Sequence, residues 1–141
     1  MPRANIDVAN ASVVGDALIA LTIADADSLP LPAVAARSAE LLALAQAGSL
    51  SESNLPPATF TITNLGMFGT ARFTPVLEAQ QAASLGIGAV HAAQPRHKDG
   101  APRVAAALCL VCDGRVANPA HAAMFLEALA ELLEAPMRLL L

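Results

Sequence analysis

The sequence predicts an α+β fold, with a mixed or mostly antiparallel sheet and two long helices. Three observations predict it. Short β-branched or apolar runs recur between turn signals, as strands do. Two longer stretches keep the three-to-four spacing of apolar residues that marks an amphipathic helix, and a proline stands at the start of each. The chain has 141 residues, 55% of them hydrophobic and 14% charged, which is one domain's length with enough apolar material for a core.

The elements follow in order. Asn5–Ser12 alternates loosely and is expected to be a strand. Ala17–Ile23 is a second, set off by a Gly15–Asp16 turn. Pro32 suits the first turn of a helix that runs to about Ala47, with Val34, Leu41, Leu42 and Ala45 on its apolar side. Gly48 is a natural stop. Ser49–Pro57 is expected to be a polar loop. Ala58–Asn64 (ATFTITN) is the clearest strand, β-branched and alternating, and Gly66 and Gly69 break it. Phe73–Gln81 is irregular around Pro75. Ala83–Val90 is a further apolar strand. His91–Pro102 is expected to be a polar loop with a hairpin-like turn at Lys98–Asp99–Gly100. Arg103–Cys112 is a near-continuous apolar run, expected to be one strand buried on both faces. Asn118 and Pro119 suit a helix cap and a first helical position. Ala120–Leu133 then carries Phe125, Leu126, Leu129, Leu132 and Leu133 on one side and Glu127, Glu131 and Glu134 on the other, and Pro136 ends it.

Composition excludes several functions. The net charge is −4, the eight Lys and Arg residues are scattered, and aromatics are 3%, so neither a phosphate-tracking stripe nor a stacking platform for nucleic acid is present. No membrane span is expected, because every apolar run falls short of the roughly 20 residues needed. Met1–Ser12 lacks an apolar secretory core, while an organelle stays open as a compartment. So apolar a chain, with few charges to cover a monomer, is expected to bury part of its surface against other copies.

The residues that could carry chemistry are few. Cys109 and Cys112 spell CxxC, but residues three apart in a strand face opposite sides, so buried structural thiols are expected and no metal site. His91 and His97 are expected to be solvated loop residues. His121, in the first turn of the second helix, would need a partner and a pocket to act as a base. Asp113 and Arg115 are expected to form an ion pair that fixes a turn. Thr63 ends a strand before a glycine turn.

A resemblance sharpens this. Thr59–Gly69 (TFTITNLGMFG), then Phe73-Thr74-Pro75 and Gln80–Gly88 (QQAASLGIG), closely resembles the catalytic core of the dihydrolipoamide acyltransferases, the E2 components of 2-oxo acid dehydrogenase complexes. Ile23–Asp27, Lys98–Gly100 and Leu108–Leu126 extend the likeness over nearly the whole chain. It implies a fold like that of chloramphenicol acetyltransferase, shortened at its N-terminal side, in a single core domain over residues 1–141 with no lipoyl or subunit-binding domain. It also implies a homotrimer, since in this family each active site lies between two subunits, and a home in a mitochondrial matrix or a bacterial cytoplasm.

The family signature is Asp-His-Arg-x-x-Asp/Asn-Gly, and here the chain departs from it. Asp113 and Arg115 match the ion pair that flanks the histidine, Asn118 matches the later Asp or Asn, and Thr63 matches the hydroxyl that stabilises the oxyanion. The histidine is replaced by Gly114, and Pro119 stands where the family has Gly. Acyl transfer between dihydrolipoamide and coenzyme A needs a thiol deprotonated beside a thioester. A free thiol has a pKa of about 8.5, and a positioned imidazole contributes roughly 10²- to 10⁴-fold. Glycine supplies none of this. His121, seven residues on, approaches from another direction. The resemblance therefore implies a non-catalytic structural or adaptor subunit, similar to the E3-binding protein (protein X) of pyruvate dehydrogenase complexes. Its partners would be a catalytic E2 core and E3, and it would need no cofactor of its own. The alternatives are an acyltransferase with residual or partner-assisted activity, using coenzyme A and a lipoyl group, and an E2-like trimer recruited as scaffold in an unrelated assembly.

Overall fold

Alternation of small and branched residues builds the first hairpin, in which β1 (Val8–Val14) and β2 (Ala17–Ile23) pair antiparallel with Val8 opposite Ile23. A computed structural model describes residues 5–50, 54–93 and 103–139. After β2 come helix α1 (Leu31–Gln46), β3 (Phe60–Asn64), β4 (Ala83–Ile87), β5 (His91–Ala93), β6 (Arg103–Ala105), β7 (Leu108–Cys112) and helix α2 (Pro119–Glu134). The main sheet has the order β2-β1-β3-β4-β7, and β5 and β6 form a separate two-stranded ribbon. Pairing is parallel for β1/β3 and β3/β4 and antiparallel for β1/β2 and β4/β7, so the sheet is mixed.

Register assigns the faces. Phe60 lies opposite Val8, and Val8 opposite Ile23, so all three share a face. Ile23 and Leu21 pack with Leu41 and Ala45 of α1 to make the buried core. Phe60 meets Phe125 of α2 with ring centroids 5.9 Å apart. Both helices therefore cover the same face. Leu41 is fully buried, and cutting it to Ala would cost about 2–5 kcal/mol in lost transfer energy and cavity.

The other face carries the row Thr22, Ala9, Thr61 and Ser84, which lie opposite one another across four strands and are all buried. Over β4 this face is covered by the chain between β3 and β4, which crosses it as a strap. Glycines make room for it: a Cβ at Gly86 would stand 2.9 Å from the Phe73 ring, and one at Gly88 would stand 2.2 Å from the Ala71 carbonyl oxygen. The strap is then tied down where Ala89 N–H donates to the Thr70 carbonyl at 2.8 Å.

Three expectations need correction. Arg103–Cys112 is two strands, because the chain leaves β6 after Ala105 and joins the main sheet only at Leu108. β7 is half-buried along its length rather than buried on both faces, because it is an edge strand covered chiefly by α2. His91–Ala93 is strand β5, paired with β6, where a loop was expected, because short alanine-rich segments of this ribbon satisfy each other's backbone. The first two strands and both helices differ from expectation only at their ends. The turn expected at Lys98–Gly100 and the loop residue His97 lie outside the described residues.

Candidate functional site

The turn after β7 is held by a dense set of polar contacts. Asp113 N–H donates to the Ala82 carbonyl at 2.9 Å, and the Asp113 carbonyl accepts from Val116 and Ala117 at 2.9 and 3.0 Å. Arg115 doubles back on the same residue. Its backbone N–H donates to Asp113 Oδ1 at 2.9 Å. Its Nε reaches both carboxylate oxygens at 3.0 Å, and Nη2 reaches Oδ2 at 2.6 Å. The side-chain bonds from Arg115 lower the Asp113 pKa most, its backbone N–H adds to them, and together they bring it to about 2. The Arg115 pKa is raised by the same contacts. The expected ion pair is present.

Gly114, between them, is exposed, has none of the positive φ that favours glycine, and would meet nothing within 4 Å if it carried a Cβ. Neither backbone conformation nor crowding requires glycine here. Asn118 caps α2: its side chain accepts from His121 N–H at 2.9 Å, with Pro119 first in the helix. His121 thus contributes its backbone amide to the cap, and its ring is on the exposed side of the first turn.

Thr63 lies elsewhere. It stands opposite Gly86 on β4, and Gly86 opposite Cys109 on β7, so Thr63 is two strands across from β7 and four residues short of the level of Asp113. At about 4.8 Å per strand and 3.3 Å per residue, that separates the hydroxyl from the turn by roughly 15 Å. Thr63 lines a cavity of about 300 Å³ with Ala11, Leu18, Thr61, Phe73 and Glu78 among its walls. Asp113 and Arg115 line a different groove of about 1000 Å³, shared with Asn5, Thr59, Phe60 and Gln80. Within one chain the matched residues do not converge.

Cys109 and Cys112 are free, half-buried and on opposite faces of β7. Among the described residues no group of three His, Cys, Asp or Glu side chains could hold a metal ion. His91 Nδ1 lies 3.2 Å from the Ala89 carbonyl oxygen. Among the described residues no helix is long and apolar enough to cross a membrane.

Sequence reasoning missed several residues that build this region. Thr61 donates to Gln81 Oε1 at 2.9 Å, with both side chains buried. The Asp7 carboxylate accepts from Asp25 N–H at 3.0 Å, and the Asp7 backbone exchanges bonds of 2.9 and 3.0 Å with the Thr59 hydroxyl. Asp27 accepts from Ile6 N–H, and Asn5 bonds to Asp25, which has a left-handed φ of 51°. The sequence signal for this clasp was the Asp25-Ala26-Asp27 turn, but its partners are up to 52 residues away.

Comparison with known proteins places these features. Residues 2–141 match the family described as 2-oxoacid dehydrogenases acyltransferase (catalytic domain). A chloroplastic dihydrolipoyllysine-residue acetyltransferase component of the pyruvate dehydrogenase complex of Arabidopsis thaliana is 32% identical over 136 residues, 95% of this chain and 28% of that protein. A dihydrolipoyllysine-residue succinyltransferase component of the 2-oxoglutarate dehydrogenase complex of Bartonella vinsonii is 37% identical over 128 residues, 88% of this chain and 30% of that protein. The solved dihydrolipoamide acetyltransferase of Azotobacter vinelandii, studied for the role of a serine, a histidine and an asparagine in its catalytic mechanism, superposes with a TM-score of 0.87 at 32% identity, over 99% of this chain and 58% of that one. The chain thus spans under a third of the length of these curated relatives and over half of the solved core. On its sequence and its fold alike, the chain belongs to the 2-oxoacid dehydrogenase acyltransferase family.

Proposed function

We propose that this chain is a non-catalytic structural or adaptor subunit built on the acyltransferase core, contributing to a 2-oxo acid dehydrogenase complex, of pyruvate in the first instance. The observation that carries the proposal is Gly114. It sits between Asp113 and Arg115, in a turn that the pair holds rigid, at the position where the family pattern has its histidine. A thiol of pKa about 8.5 is little ionised at neutral pH, and the turn offers no side chain to take its proton. The ion pair that would orient an imidazole is kept while the imidazole is gone.

The roughly 15 Å between Thr63 and the turn supports a homotrimer, since a site containing both would need two chains. Surface composition supports it too. Met67, Val76, Val104 and Met137 are each more than 70% exposed, and α2 buries no residue fully. Exposed apolar area of this kind is normal at interfaces between copies. On this reading the chain needs no cofactor of its own, associates with a catalytic E2 core and with E3, and works in a mitochondrial matrix or a bacterial cytoplasm.

A second reading, residual or partner-assisted acyl transfer, is favoured by the open space at Gly114 and the cavity beside Thr63. Incubation with acetyl-coenzyme A and dihydrolipoamide separates the two. No turnover above the uncatalysed rate is expected, and turnover near that of an ordinary E2 would sink the proposal. Sedimentation is expected to show trimers or larger species, and a stable monomer at micromolar concentration would contradict them.

A further inference from the structure

The strap between β3 and β4 is fastened to the sheet only near its ends. At the first, Ala89 N–H donates to the Thr70 carbonyl at 2.8 Å. At the second, Ala82 N–H donates to the Thr59 carbonyl at 2.8 Å, and the buried Gln81 side chain accepts from the Thr61 hydroxyl. Among the described residues, no backbone hydrogen bond joins the span 71–79 to the sheet. A residue of left-handed backbone stands beside each fastening, Gly69 with φ 75° and Gln80 with φ 72°. Glycine adopts that conformation freely, whereas glutamine is strained in it. Side-chain packing at one place seats the span. Half-buried Phe73 and buried Pro75 lie over Gly86, where an added Cβ would stand 2.9 Å from the Phe73 ring and 3.1 Å from the Pro75 ring. Between strap and sheet lies the cavity of about 300 Å³, with Phe73, Pro75 and Val76 on the strap side and Ala11, Leu18 and Thr63 on the sheet side.

We infer that residues 71–79 are a hinged lid, which lifts as a unit about Gly69 and Gln80 and so opens the cavity beneath it. Phe73 and Pro75 are the latch, and Gly86 is the seat. A segment held by few apolar contacts and by no ladder of backbone bonds opens locally at far lower cost than a core strand. A few residues at its ends absorb the change in backbone angles. The core need not move, because α1 and α2 pack on the opposite face. The inference concerns neither the missing base nor the assembly.

Limited trypsin digestion of the intact protein, with fragments identified by mass, tests it. Arg72 is exposed and directly precedes the latch, so the bond after it is cut when the span is free of the sheet. Arg37 lies in α1, one turn from the fully buried Leu41, and reports unfolding of the core. Cleavage follows the population of the open form. The unaltered protein is expected to be cut faster after Arg72 than after Arg37. Phe73→Ala and Gly86→Ala should each raise cleavage after Arg72 by at least about tenfold and change cleavage after Arg37 by less than about twofold. In Thr63→Cys, alkylation at position 63 by iodoacetamide, read from the peptide mass, should speed up when Phe73→Ala is added. Circular dichroism checks that each variant folds. Cleavage after Arg72 and Arg37 rising together, cleavage after Arg72 unmoved by either latch variant, or alkylation at position 63 unmoved by Phe73→Ala would overturn the inference.

Discussion

Arg115 holds the Asp113 carboxylate from two directions at once, with its backbone N–H on Oδ1 and its guanidinium across both oxygens, the nearest contact being 2.6 Å. This fork fixes the course of the chain through Gly114. Arg115 is 86% exposed along its side chain and Asp113 17%, so the pair is half in solvent, and its value lies in geometry more than in stability.

The pair has a pH signature. The Asp113 pKa is lowered to about 2 from an ordinary 3.8. A depressed carboxylate favours the folded state above its unfolded pKa, and that contribution is lost as pH falls from about 4 towards 2. Arg115→Ala is expected to return the Asp113 titration, followed by carboxyl-carbon NMR, towards the ordinary value. Asp113→Asn is expected to flatten the acid limb of stability in that same window, because the contribution it removes is the one present above about pH 4.

Two glycines should answer oppositely to the same change. Gly88→Ala puts a Cβ 2.2 Å from the Ala71 carbonyl oxygen, which the strap can relieve only by moving, and a loss of about 1–3 kcal/mol is expected in denaturant unfolding. A Cβ added at Gly114 meets nothing within 4 Å, so Gly114→Ala and Gly114→His each replace a glycine without positive φ and without a clash at Cβ. They are expected to be neutral or to gain up to about 1 kcal/mol from the stiffer unfolded chain.

The buried hydroxyls of the central strands should also separate. Ser84 Oγ is fully buried and has no hydrogen-bond partner among the described residues, so Ser84→Ala is expected to leave stability unchanged or raise it by about 1 kcal/mol. Thr61→Val strands the buried Gln81 carbonyl oxygen and should cost about 1–3 kcal/mol. Thermal unfolding of the two variants reads the contrast.

At the far end of the turn, Asn118 closes the first turn of α2 through His121 N–H. Asn118→Ala is expected to cost about 1 kcal/mol. His121→Ala keeps that backbone donor and should cost little, which chemical denaturation can distinguish.

Much of this was legible in the residues. β3 could be read from its alternation, α2 from Asn118, Pro119 and its apolar stripe, and the Asp113–Arg115 pair from spacing alone, because each is decided locally. What was not legible depended on partners far along the chain. The break between β6 and β7 leaves no mark in the run 103–112, since apolar residues continue from Val104 through Cys112 and only the pairing of the two halves differs. His91 lies in a strand because β6 comes back to meet it. The Thr61–Gln81 bond and the Asp7 clasp join residues 18 to 52 positions apart. The separation of Thr63 from Gly114 follows from strand order, which no local pattern encodes.

On the proposed reading, the acyltransferase fold is kept around a turn that lacks its base. The most direct test is single-turnover acyl transfer between acetyl-coenzyme A and dihydrolipoamide by the unaltered protein, followed by thioester absorbance across pH 6 to about 9. The expected result is no rate above the uncatalysed background other than that of free thiolate, rising smoothly with pH through about 8.5. A rate well above background, with a titration near the imidazole range of about 6.5, would reveal a working base and contradict the account.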